Sequence, residues 1–270
     1  MRTVLHVVLA LCLFATAMTG RAPLIQYSVA TAPLNSGVKS VLPAAGTQVG
    51  VAHPIVVTFN GPINPANRIA AERGIAVTTM PATTGHYEWL ASNQVQWVPD
   101  QYWPAHSTIA MSVNGRFAEF KTGPAVVGVA DISDHTFTVT IDGMGAGSPI
   151  PLPSPHHLPH FGEDGVLLAS MGRPEYPTPV GKYTVLAKER DVLMDSSSVG
   201  IPVDSPDGYL LNVDYAVRIT SRGLFVHSAP WAVPAMGVEN VSHGCVSLIP
   251  AAAEWYFNTV EVGDPVIVQE

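Results

Sequence analysis

Ser242-His243-Gly244-Cys245 sets a cysteine two residues after one histidine, and a second, His227, lies upstream with fourteen residues between it and Ser242. The other cysteine, Cys12, falls in an apolar run at the amino terminus. If that run is removed on export, Cys245 has no partner for an intramolecular disulfide. One thiol also cannot build a multi-cysteine zinc site. An inert packed thiol and a reactive one remain. A thiol attacks an acyl carbon well only as thiolate, and its unperturbed pKa is about 8.5. A nearby imidazole can take the proton and return it to an amine. His243, two residues away in an extended run, can share the side of Cys245. His227 follows the apolar stretch 224–226, which places its ring at a predicted strand end. Gly244 permits a tight bend that can aim two backbone N–H groups at one point, as an oxyanion hole requires. On these residues alone, cysteine acyl transfer and a structural thiol both stay open.

The elements that must position these groups are mainly β. The chain has 270 residues, 47% of them apolar, enough for a substantial core. Lys plus Arg total 13 against 21 Asp plus Glu, for a net charge of −8, which speaks against a nucleic-acid-binding surface. Residues 1–17 read as a signal peptide or membrane anchor: Met1-Arg2, an apolar run from Val4 to Ala17, and the small-residue site Ala15-Thr16-Ala17. The run is short for a membrane span. An exported protein in the periplasm or cell envelope, with a possible membrane tether at the N-terminus, is therefore expected. Leu11, directly before Cys12, is too large for a lipid-attachment site.

Residues 18–48, rich in Ala, Pro, Ser and Gly, read as a tether. Residues 49–123 read as a small β-sandwich, with strands near 54–59, 74–80, 94–98 and 107–113 and hairpin signals at Asn60-Gly61 and Asn114-Gly115. Trp89, Trp97 and Trp103 are expected as core or interface rings. Gly123-Pro124 marks a seam. In residues 124–270, strands are expected near 136–141, 166–170, 182–185, 216–220, 224–226 and 265–269. A short helix is expected over 251–260, with Pro250 in its first turn. That is too little helix for alternating βαβ units. The stretch 145–165 is proline-rich, and His156, His157 and His160 within it read as surface histidines, not metal ligands.

His227 followed by Ser242-His243-Gly244-Cys245 resembles the signature of the L,D-transpeptidase (YkuD-type) family. Met171-Gly172, Pro177-Thr178-Pro179 and Gly181 resemble that fold's approach to its cleft. Residues 194–209 and 225–231 resemble the lid and cleft wall of mycobacterial members, and residues 89–106 resemble their immunoglobulin-like accessory domain. The resemblance covers roughly residues 40–270. It implies an N-terminal immunoglobulin-like β-sandwich followed by a β-rich catalytic domain with a short C-terminal helix. It also implies a cysteine-nucleophile transpeptidase that needs no cofactor or metal and forms 3→3 cross-links between peptidoglycan stem peptides in cell wall biogenesis. By resemblance Cys245 is the nucleophile, His227 the acid/base and Ser228 its orienter through the backbone carbonyl. His243 and Gly244 line the oxyanion region, and Tyr209, Met194, Trp231, Ser242 and Ser247 contact substrate. Acylation by carbapenems is implied as well. A hydrolytic L,D-carboxypeptidase or endopeptidase using the same cysteine, and a non-catalytic wall-binding protein, are the alternatives. Two positions depart from the family: Ser247 stands where Asn or Arg is usual, and Val199 where mycobacterial relatives carry an aromatic lid residue.

Overall fold

Alternation of apolar and polar residues folds the first half into two facing sheets. The structure is a computed structural model and describes residues 37–146, 159–160 and 162–270. The expected signal segment 1–17, most of the expected tether, and His156 and His157 lie outside the described residues. Strands β1 (Val38–Leu42), β3 (Ile55–Phe59), β6 (Gln94–Pro99) and β5 (Gly85–Ala91) form one sheet in that order. Strands β2 (Gln48–Val49), β8 (Arg116–Thr122), β7 (Thr108–Val113) and β4 (Thr78–Met80) form the other. Ile55, Val57, Val95 and Trp97 point inward against Ile109, Met111, Val113 and Phe120. Trp97 lies 6.0 Å from Trp103, which meets Phe120 edge-on at 5.6 Å. Each such ring pair contributes about 1 kcal/mol beyond its burial. Trp89 stacks on Phe59 at 5.8 Å.

Three local expectations change here. Part of the stretch read as tether is strand: β1 pairs with β3, and the short β2 begins at Gln48. Its apolar pattern, carried by Val38 and Val41, is too brief to stand out among Ala, Pro and Gly. Residues 74–80 are not one strand, because helix α1 (Arg68–Ile75) runs into them and ends at Ala76, whose φ is +30°. The Asn64 side chain accepts the Ala66 N–H at 3.0 Å in the turn that precedes this helix. Asn60-Gly61 leads towards α1 and joins no hairpin, since β3 pairs with β1 and β6. Asn114 and Gly115, at φ +52° and +73°, do form the hairpin turn between β7 and β8.

The second half is a single mixed sheet. Its strands are β9 (Val126–Asp131), β10 (Thr136–Ile141), β11 (Met144–Gly145), β12 (Val166–Ser170), β13 (Gly181–Thr184), β14 (Ala187–Asp195), β15 (Leu210–Arg218), β16 (Phe225–Ser228), β17 (Val246–Leu248) and β18 (Pro265–Gln269). Their order is β13-β18-β9-β10-β12-β17-β16-β15-β14, with β11 on the edge of β10. Helix α2 (Pro250–Thr259), started by Pro250 as expected, packs on β15 and β16. Its Tyr256 is fully buried and meets Phe137 edge-on at 4.8 Å. The long hairpin of β14 and β15 extends well beyond the expected strand at 216–220.

The two halves are joined by backbone hydrogen bonds, from Gly50 N to Val262 O and from Ala52 N to Gly263 O, both 2.8 Å. Asp264, fully buried, completes the junction: Oδ1 accepts the Val51 N–H at 3.3 Å and Oδ2 accepts the Glu261 N–H at 2.8 Å. Burial pushes its carboxyl pKa up to about 6. An amide offers one acceptor oxygen, so Asp264→Asn turns an NH2 towards a backbone N–H. Urea unfolding of that variant is expected to show a loss of roughly 2 kcal/mol; unchanged stability would show that the carboxylate does not hold the junction.

Candidate active site

The relation between Cys245 and His227 follows from one strand pair. β16 and β17 run parallel, with His227 opposite Ser247 and Val226 opposite Val246. Partners in register share a face, and so do residues two apart on a strand. Cys245, two before Ser247, therefore lies on the His227 face, one step ahead of β17. His227 is buried, and its Nδ1 is 2.8 Å from the Ser228 carbonyl oxygen. A carbonyl only accepts, so Nδ1 carries the proton and Nε2 presents a lone pair. Burial pushes the His227 pKa down to about 4. The half-buried Cys245 thiol points to the Gly223 carbonyl at 3.7 Å, and burial pushes its pKa up to about 11. The resting pair is thus a neutral thiol beside a neutral base. Attack on a carbonyl must move the proton from sulfur as the carbon–sulfur bond forms.

The turn before Cys245 is braced from two sides. Gly244 has φ +118°, a conformation closed to side chains with a Cβ. Inside the turn, the Ser242 hydroxyl accepts the Gly244 N–H at 3.1 Å and donates to the Cys245 carbonyl at 2.7 Å. Ser242, expected as a substrate contact, acts here as a brace, and the Gly244 N–H is directed at its hydroxyl. From outside, the buried Thr178 hydroxyl donates to the Gly244 carbonyl at 2.7 Å and accepts the Gly172 N–H at 2.8 Å. The Gly172 position admits only glycine, because a Cβ there would stand 2.2 Å from the Tyr176 carbonyl oxygen.

A cavity of about 580 Å³ opens onto Cys245, lined by Met194, Val199, Tyr209, Arg222 and Phe225 among others. Met194 and Tyr209 thus share one cavity with the thiol. Burial, and then the nearby Cys245, raise the Tyr209 hydroxyl pKa. Trp231 is half-exposed, its ring 6.2 Å from the His227 ring. Ser247 is buried in the strand beside His227. His243 turns elsewhere: its ring lies between Tyr176 at 4.9 Å and Tyr209 at 5.0 Å, and its Nε2 faces Arg173. His160 pairs with Glu163 at 3.1 Å and Asp134 at 3.7 Å, as a surface residue. Sequence reasoning gave no role to Thr178, although it lies in the motif quoted above. It missed Arg173, Tyr176 and Asp207, for which no spacing signal exists.

Both halves of the chain are similar to known proteins. The profile of a bacterial Ig domain matches residues 15–116, and that of the L,D-transpeptidase catalytic domain matches residues 127–268. A probable L,D-transpeptidase 3 of Mycobacterium tuberculosis is 71% identical over 234 residues, 86% of each chain. The crystal structure of L,D-transpeptidase 3 from that organism with a faropenem-derived adduct matches with TM-score 0.82 at 69% identity, over 87% of this chain and 99% of the other. An LD transpeptidase, LdtMt1, in complex with imipenem matches with TM-score 0.75 at 49% identity, over 86% and 99%.

Two outcomes follow from the geometry. Thr178→Val keeps the side-chain volume but strips hydrogen bonds from a buried N–H and a buried C=O. Stability is expected to fall by about 2 kcal/mol or more on chemical denaturation, and wild-type stability in the variant would show that the brace is dispensable. The second concerns pH. His227 has a folded pKa of about 4, below its ordinary 6.5, so the unfolded chain binds the proton more tightly. Its contribution to stability is complete above about pH 6.5 and is lost as pH falls towards 4, by roughly 3 kcal/mol. Unfolding of the wild type and of His227→Gln from pH 7 to pH 4 should show the variant missing this acid slope; parallel slopes would refute it.

Proposed function

The chain belongs to the L,D-transpeptidase family, with a YkuD catalytic domain behind a bacterial Ig domain, and we propose that it forms 3→3 peptidoglycan cross-links through a thioester on Cys245. The observation that carries this is the His227 imidazole, whose Nδ1–H is held by the Ser228 carbonyl and whose Nε2 lone pair stands on the sheet face shared with Cys245. In the first half-reaction the sulfur attacks the carbonyl between the third stem residue and the fourth, D-alanine. The thiol proton passes to His227 Nε2 and then to the departing amine, so D-alanine leaves and a thioester remains. In the second, the side-chain amine of another stem's third residue attacks the thioester. Its proton returns through His227 to the sulfur, closing the cycle with one amide broken and one formed.

Tyr209 and Met194 line the donor side, and the half-exposed Trp231 ring lies beside His227. A stem peptide filling this cavity would exclude water, which favours an amine over hydrolysis in the second step. Export, through the segment 1–17, puts the enzyme where this substrate is. The same thiol is expected to open β-lactams, consistent with the faropenem-derived adduct of one relative and the imipenem complex of another.

Intact-protein mass spectrometry with a disaccharide-tetrapeptide tests the proposal. Wild type should gain a tripeptide-sized adduct and release a 3→3 dimer, and Cys245→Ala should do neither. An adduct resolved only to free tripeptide would move the activity to a carboxypeptidase. A folded protein with no adduct would leave a wall-binding role.

A further inference from the structure

Arg173 has no part in the acyl transfer just described, yet it is the centre of a cluster next to the Ser242–Cys245 turn. Its terminal nitrogen Nη2 bonds the Asp207 carboxylate and also lies 3.1 Å from His243 Nε2. That nitrogen carries two hydrogens, one for each partner. A guanidinium has no acceptor, so His243 Nε2 must accept, and its proton sits on Nδ1. The second Asp207 oxygen accepts the Tyr176 hydroxyl at 3.2 Å. The Tyr176 ring lies 4.7 Å below the guanidinium and 4.9 Å from the His243 ring. On the backbone, the Arg173 N–H donates to the Ser242 carbonyl at 3.0 Å. Glu175, 3.6 Å from Arg173 Nε, is largely exposed and adds little. Asp207 stands two residues before Tyr209, the wall of the cavity over Cys245.

We propose that Arg173 is a positioning residue that clamps segment 200–209 to the histidine of the nucleophile turn, so that covering the cleft and fixing the His243 tautomer are one event. It touches no reacting atom. It acts through Asp207 on the segment that carries Tyr209, and through His243 on the turn that aims Cys245. The proposal rests on Cys245 acyl transfer as the activity. Burial, and then the Arg173 cation, hold the His243 pKa below its ordinary value, while Asp207 works in the opposite direction. The two halves of the clamp therefore leave opposite marks on His243 when they are removed.

The test uses the full chain, with imipenem as the acylating probe, rates from loss of β-lactam absorbance, adducts from intact mass and His243 titration from ¹⁵N-histidine NMR. Arg173→Gln should slow acylation by about tenfold or more and raise the His243 pKa. Asp207→Asn should also slow acylation but lower that pKa. The double variant should be no slower than the slower single, because either change opens the same clamp. Arg173→Lys keeps the cation without the planar fork, and should retain the low His243 pKa while recovering only part of the rate. Single variants that acylate at the wild-type rate, effects that multiply in the double variant, or an unmoved His243 titration would each overturn the clamp. If Arg173→Gln melts far below wild type, Arg173→Lys and Asp207→Asn carry the test. Failure of the wild type itself to be acylated would sink the acyl-transfer proposal, while the His243 titrations would still decide the contact.

Discussion

The site depends on the parallel register of β16 with β17. Two strands in sequence order that run parallel cannot be joined by a tight hairpin. Here the chain leaves Ser228, passes through the turn Pro230–Ala235, and crosses back to the end of the sheet at which β16 began. The return must also deliver a nucleophile, and the tight corner at Gly244 does so. All residues of Phe225–Ser228 and Val246–Leu248 are buried, as expected of parallel strands at the centre of a sheet. A slip of one residue would carry His227 to the opposite face from Cys245 and drive the polar Ser247 and Ser228 into new surroundings. The core that fills both faces of these strands therefore enforces the catalytic geometry.

The burial that fixes the register also sets the protonation of the pair. Desolvation disfavours charge on both groups, lowering the histidine and raising the cysteine. The two pKa values move apart, to about 4 and about 11, and the resting site stores no ion pair. A base of such low proton affinity is suited to handing its proton on to a leaving amine. The Ser228 carbonyl is the one polar contact the imidazole receives from its own strand. It fixes the tautomer without adding charge, where a carboxylate in the same place would pull the pKa back up. The positioning of the ring and the neutrality of the pair thus have a single structural source.

Much of this was legible in the sequence because the signals were local. Asn114-Gly115 and Gly244 declare their backbone conformations, and Pro250 marks the start of a helix. The alternation in 136–141 and 265–269 gives strands whose partners the core then chooses. What stayed hidden was either short or long-range. β1 is too brief to rise above its Pro- and Gly-rich surroundings. The first half of β14 is strand by pairing, since Lys188, Glu189, Arg190 and Asp191 give it no apolar alternation. Asp264 looks like a surface turn residue until the backbone N–H groups of Val51, just after β2, and Glu261, just after α2, converge on it. Arg173 and Asp207 lie in separate loops, and a single ion pair leaves no period to read.

Ser247 and Val199, the two positions where the resemblance led us to expect longer side chains, differ in their surroundings. Ser247 is buried opposite His227 on one side and opposite Ser170 on the other. A side chain of that length keeps the strand register but does not project into the cleft as an amide or guanidinium would. Val199 stands at the cavity rim with half its surface exposed, and covers less of the cleft than an aromatic ring. In the polar clamp, Asp207 is held by Arg173 and Tyr176 together. It also brings His243 against Tyr209, whose side chain lines the cavity that opens onto Cys245. In this chain the cover of the nucleophile is therefore held by directional hydrogen bonds where an aromatic lid would use area. Directional contacts weaken steeply with displacement, so this cover is set by the geometry of the Ser242–Cys245 turn itself.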